Sequence, residues 1–132
     1  MDLLAFTGKI LLSTLLGSSL GWQRHHMGKA AGSRTYALVC FGATLFTMMS
    51  MAVPNGDQGR IAAQIVAGIG FIGAGTILHK QDGIEGLTTA AGLWATSAIG
   101  MAIGFDWYLQ AIVGTALMFI VLAIKDVQNK LH

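Results

Sequence analysis

The sequence predicts an all-α integral membrane protein, a compact bundle of five transmembrane helices built by the whole chain, residues 1-132. Three observations lead there. Of 132 residues, 54% are hydrophobic and only 11% charged, against roughly 25% charged in soluble domains. The apolar residues are spread over five runs rather than gathered in one. The third run, Ile61 to Leu78, holds 18 residues without a charge. As a helix it extends roughly 27 Å, close to the roughly 30 Å hydrocarbon core of a bilayer. The length admits one domain. A net charge of +2 argues against a nucleic-acid partner. A single cysteine, Cys40, excludes an intramolecular disulfide and reads as a buried small hydrophobe.

The first predicted helix covers 3-22. It resembles a secretory signal, but Asp2 is acidic, no basic residue precedes the apolar run and no clear cleavage site follows, so it reads as a retained span. Lys9 sits near its end, where a long stem can snorkel to the interface. Ser13, Gly17 and Gly21 recur every four residues. Tight packing within the subunit is the favoured reading of this stripe, and a homodimer face the sharper one. The loop from Gln23 to Thr35 is the most basic stretch, with Arg24, Lys29 and Arg34 beside His25 and His26. Adjacent histidines diverge and no Cys or carboxylate is near, so interface histidines are expected rather than a metal site. The cluster suits anionic lipid heads.

The second helix covers 36-53. Met48, Met49 and Met51 lie near its end, on no common helical face, which favours gap-filling over a soft-metal site. Pro54-Asn55-Gly56 is a turn signal. Asp57 then serves as an N-cap or a partner of Arg60. The third helix covers 61-78. Gly68, Gly70 and Gly73 match the dinucleotide-binding pattern, but they sit inside an uninterrupted apolar run with no strand-turn-helix unit. Ala63, Ala67, Gly70 and Ala74 form a stripe of small residues. The fourth helix covers 87-103 and carries a similar stripe at Thr88, Ala91, Ala95, Ala98 and Ala102. The matching rhythm predicts that helices three and four pack antiparallel through these stripes, with Trp94 turned away. The fifth helix covers 107-124, with Trp107 and Tyr108 as interface anchors. A short polar tail, Lys125 to His132, follows.

Lys and Arg counts set the orientation. Loop 1 has three, loop 3 one and the tail two, against one in loop 2 and none in loop 4. The richer side is cytoplasmic, which puts the N-terminus outside and the C-terminus inside. No predicted span carries a central Asp or Glu, which weakens a proton-relay or secondary-transporter reading. Gln64 is the foremost of the intramembrane polar residues, ahead of Thr47, Thr76, Ser97, Gln110 and Thr115. An interhelical hydrogen bond is its plain role. Magnesium binding normally takes one or two carboxylates; Asp2, Asp57 and Asp106 fall on the outer side with no sign of convergence. No nucleophile-base arrangement or metal-ligand spacing is present, so neither an enzyme nor a cofactor is expected.

Four blocks resemble the N-terminal membrane domain of the MgtC/SapB family. They are Ala31-Gly32-Ser33-Arg34-Thr35 leading into Leu38 to Ala43; Arg60 to Val66; Gly68 to Gly75; and Gly86 to Ala91 through Leu93-Trp94. They run in family order over about Gly17 to Gly104. The resemblance implies a five-helix bacterial inner-membrane protein of low-magnesium adaptation and, in pathogens, of survival inside macrophages. It implies partners such as the membrane sector of ATP synthase or small membrane peptides, with ion transport as the alternative. Two positions depart from the family pattern. Gln23 stands where an acidic residue usually precedes the arginine, here Arg24, and Gly92 stands where a larger residue is favoured. The polar helix-end residues Arg34, Thr35, Asp57, Arg60, Gln64, Thr88 and Thr89 are the functional candidates. Gly17, Gly21, Ala67, Gly70, Ala74, Ala91 and Ala95 are the packing candidates.

Overall fold

The computed structural model describes residues 2–124. The polar tail and its two lysines lie outside the described residues. Five helices and one small hairpin follow in order: α1 (Leu3–His26), α2 (Ser33–Ala52), α3 (Gln58–Ala74), β1 (Leu78–Lys80), β2 (Gly83–Glu85), α4 (Leu87–Gly104) and α5 (Tyr108–Ala123). α1, α2 and α4 are long and apolar enough to cross a membrane, and α5 is a shorter apolar helix. α3, with 17 residues, still reaches roughly 26 Å.

Three helices differ by more than one residue from the bounds expected. α1 continues past Trp22 to His26 because its last turn is held on itself. The His26 ring donates to the Trp22 carbonyl oxygen at 3.0 Å and packs tilted against the Trp22 ring, with centroids 4.3 Å apart. The basic residues there also favour the negative end of the helix dipole. Gly28, at φ +67°, then turns the chain out of the helix. α2 begins at Ser33 rather than Tyr36 and ends where Val53, extended before Pro54, breaks it. α3 starts early because Asp57 caps it, accepting from the Arg60 N–H at 3.3 Å. Asp57 is a cap; it forms no ion pair with Arg60 among the described residues.

α3 also ends early, at Ala74 rather than Leu78. Ile77 and Leu78 leave the helix, and Leu78 enters an antiparallel hairpin whose register pairs Leu78 with Glu85, His79 with Ile84 and Lys80 with Gly83. Lys80 and Glu85 form an ion pair across it. Gly86, at φ +88°, closes the hairpin onto α4, and a Cβ there would overlap the Thr76 carbonyl oxygen. We expect Gly86→Ala to cost about 2 kcal/mol, from left-handed strain and that overlap. Unfolding in mixed micelles, followed by circular dichroism, measures it.

The core sits around α4, which touches all four other helices. Its inner face is a stripe of small residues at every fourth position, Gly92, Thr96, Gly100 and Gly104, all buried. A Cβ on Gly100 would lie 2.3 Å from the Cys40 carbonyl oxygen of α2, and one on Gly104 would lie 2.5 Å from the Thr47 Cβ. Thr44 Oγ1 lies 2.8 Å from the Gly100 carbonyl oxygen and 2.9 Å from that of Cys40, tying the two helices. On α2's other side, Gly17 and Gly21 of α1 meet backbone: a Cβ on Gly17 would lie 2.7 Å from the Tyr36 carbonyl oxygen, and one on Gly21 2.6 Å from that of Gly32. Gly17 and Gly21 thus pack within the chain. Between the helices lie Leu20, Tyr36, Cys40, Leu93 and Ile103, all fully buried.

The expected α3–α4 seam is corrected. The helices do touch, but through Ile69 and Gly73, the two buried residues of α3, with Gly73 against Ala90. Ala63, Ala67, Gly70 and Ala74 are exposed on α3, as are Thr88, Ala91 and Ala98 on α4, and Ala95 is half-buried. The physical reason is polarity. The Thr89, Thr96 and Ser97 hydroxyls lie on the other side of α4 and are buried, and hydroxyls in a membrane helix are best turned away from lipid. Trp94 is exposed.

Candidate functional site

Hydroxyls share the interior with apolar side chains, while large apolar side chains cover the exterior, unlike in a soluble domain. Ser13, Thr44, Thr47, Thr96, Ser97 and Thr115 are buried, each bonded to a backbone carbonyl. Leu4, Leu109 and Phe71 are 79%, 71% and 84% exposed. Lipid accepts such a surface; water does not.

Two basic residues close the buried face of α1, one at each end. Lys9, Ser13, Gly17 and Gly21 repeat every fourth residue, and Arg24 follows one short turn on; all five are buried. Lys9 therefore turns inward instead of snorkelling. Its ammonium lies 2.9 Å from the Asp106 carboxylate and donates to the Gly104 carbonyl oxygen at 3.3 Å. The Tyr108 hydroxyl donates to the same carboxylate at 2.6 Å. This clamp fixes the start of α1 to the α4–α5 turn, where Asp106 holds a positive φ of 66°. The Tyr108 hydrogen bond and then the Lys9 ammonium hold the Asp106 carboxyl below the usual carboxylate range. The clamp is therefore intact above the unfolded-state carboxylate pKa and is lost as pH falls through the lower folded value. Asp106→Ala should cost about 1–2 kcal/mol at neutral pH, because Lys9 is left buried on a carbonyl alone. The deficit should shrink on acidification, as seen in unfolding curves across pH.

At the other end Arg24 is 2% exposed. Its Nη2 donates to the Thr89 hydroxyl on α4 at 3.4 Å, a long bond. Among the described residues its Nε and the Tyr36 hydroxyl find no hydrogen-bond partner, and neither does Gln23 Oε1. Gln23 Nε2 instead donates to the Phe119 carbonyl oxygen of α5. Among the described residues no carboxylate pairs with Arg24. Tyr36 also accounts for Gly92: a Cβ there would lie 2.5 Å from the Tyr36 hydroxyl, so the tyrosine occupies the room a larger residue would need.

The sequence candidates are scattered over four places. Thr89 belongs to the Arg24 cluster, while its neighbour Thr88 is exposed. Asp57 and Arg60 are exposed at the start of α3. Thr35 and Gln64 line the same apolar groove of about 550 Å³ between α2 and α3, over Ser97 of α4, towards its opposite ends. Arg34 lines a smaller, polar pocket with His25, Gly32 and Ser33, and Thr35 lines both. Sequence reasoning did not place Lys9, Arg24 and Tyr36 in the interior. The available signal was their register: Lys9 falls on the glycine stripe of α1 and Arg24 on its flank. No group of three or more His, Cys, Asp or Glu side chains gathers among the described residues.

A helical bundle with an apolar exterior and a hydroxyl-lined interior is a membrane protein. The MgtC family model matches residues 10–131, and the chain belongs to the MgtC family. It is 40% identical over 128 residues to YhiD of Escherichia coli K12, whose given name proposes magnesium transport, covering 90% of this chain and 60% of that one. It is 42% identical over 109 residues to Protein MgtC of Salmonella typhimurium LT2, covering 83% of this chain and 47% of that one. An uncharacterized protein of Haemophilus influenzae is 36% identical over 143 residues, covering 99% of this chain and 60% of that one. The chain thus spans about half to three-fifths of the length of these relatives. No solved structure matches it.

Proposed function

We propose that this is a regulatory protein of the bacterial inner membrane. It serves adaptation to magnesium limitation or to virulence conditions by pressing its helices against those of other membrane proteins. One observation carries the reading. α3 leaves Ala63, Ala67, Gly70 and Ala74 uncovered along one side, and a Cβ on Gly70 would meet nothing within 4 Å. Such a face lets a second helix approach to backbone distance. The family resemblance supports a partner in the ATP synthase membrane sector or a small membrane peptide. All five helices span, with the N-terminus outside and the C-terminus in the cytoplasm. Cross-linking in native membranes followed by purification should recover one specific partner, lost in Gly70→Leu while the fold is kept. Recovery of the chain alone, as a homodimer, would count strongly against this reading.

Ion transport is the second reading, favoured by the name of the Escherichia coli relative. It places Gln64 on the groove and Asp57 at its outer end. Magnesium uptake by the purified chain in liposomes, abolished by Gln64→Ala or Asp57→Ala, would establish it.

A further inference from the structure

Thr35 joins two pockets of opposite character. On one side runs the groove walled by Leu38, Gly42 and Phe46 of α2 and by Ile61, Ile65 and Ile72 of α3. On the other lies the polar pocket of about 360 Å³ lined by His25, Gly32, Ser33, Arg34 and Thr35. We propose that one anionic phospholipid occupies the pair, with an acyl chain in the groove and its phosphate in the polar pocket. This goes beyond the partner reading and uses a different face of α3.

The length suits an acyl chain. The groove follows α2 from Thr35 to Phe46, about 17 Å at 1.5 Å per residue, about half of the roughly 30 Å hydrocarbon core. The charge suits a phosphate. Gly32, the N-cap of α2, supplies no side-chain cap, and the N–H groups of Ser33, Arg34 and Thr35 have no acceptor within the helix. Arg34 is exposed and makes no ion pair among the described residues. Among the described residues no carboxylate lines the pocket. Free backbone donors, the positive end of a helix dipole and a guanidinium together select an anion. The apolar groove leading from that point selects one that carries a hydrocarbon tail.

The glycines provide the test. A Cβ on Gly42 or on Gly68, which face each other across the groove, would meet nothing within 4 Å, so a leucine at either fills the groove without a clash. The full chain is reconstituted in bilayers of equimolar phosphatidylglycerol and phosphatidylcholine, extracted in mild detergent and weighed by native mass spectrometry. The expected result is one retained lipid, with phosphatidylglycerol about five-fold over phosphatidylcholine, the ratio that ~1 kcal/mol from one basic residue gives. Gly68→Leu should lose the lipid, and so should Gly42→Leu, which carries the test if the first variant does not fold. Arg34→Gln should keep a lipid but lose the preference. Gly114→Leu on α5, equally free of close neighbours, should retain as the parent does. Equal retention of both lipids by the parent, undiminished retention in the folded leucine variants, or an intact preference in Arg34→Gln would each overturn the proposal.

Discussion

Gly100→Ala should be among the most damaging single methyl groups that can be added to this chain, with a loss of about 3 kcal/mol or more. The added Cβ would sit 2.3 Å from the Cys40 carbonyl oxygen and 2.9 Å from the Ala43 Cβ. The first of these is backbone, so no side-chain rotation can relieve the overlap, and α2 and α4 must separate. Separation also strains the Thr44 hydroxyl bridge between the Cys40 and Gly100 carbonyl oxygens. Overpacking of a tight core typically costs about 1–3 kcal/mol, and the bridge adds roughly 0.6 kcal/mol, the average for interhelical bonds in a membrane bundle. Gly70→Ala is the matched control. Its Cβ meets nothing within 4 Å, so its effect should stay within about 0.5 kcal/mol. Detergent-titration unfolding of the two variants side by side measures the difference.

Arg24→Met should move stability in the opposite direction. The guanidinium is buried and pairs with a hydroxyl at 3.4 Å rather than with a carboxylate among the described residues. Desolvating an ion costs several kcal/mol, and replacing buried ionic groups with apolar side chains of similar volume is often neutral or stabilising by about 1–4 kcal/mol. The thioether fills most of the volume, leaving only the Thr89 and Tyr36 hydroxyls to be accommodated. The expected result is a stability unchanged or raised by up to ~2 kcal/mol and, on the proposed function, loss of growth support under magnesium limitation. A charge kept at a cost in stability is kept for what it does. A loss of more than about 2 kcal/mol would make Arg24 a structural strut instead.

Helix number and order were legible because each element carries its own punctuation: Gly28, Pro54 with Asn55, the Asp57 cap, and the Phe105-Asp106 turn. The α1 stripe was legible because only one face of that helix holds small residues at every fourth position. α4 was not. It is so rich in small residues that two stripes exist side by side, Ala91-Ala95-Ala98-Ala102 and Gly92-Thr96-Gly100-Gly104, and spacing alone does not choose between them. Hydroxyl position does. Thr89, Thr96 and Ser97 fall on the second side, and the buried face is theirs. The hairpin was missed because Ile77 and Leu78 extend an apolar run that looks helical until Gly83 and Gly86, both at positive φ, fold the chain back. The groove depends on the spacing between α2 and α3, which no local pattern encodes.

On a chain folded around α4, the exposed small-residue side of α3 is the face proposed to meet another membrane protein. A photoreactive amino acid at position 70, activated in native membranes, tests this most directly against the same group at position 113 on α5. The account predicts one dominant adduct with a different membrane protein from position 70 and none from 113. Adducts only with a second copy, or the same adducts from both positions, would contradict it.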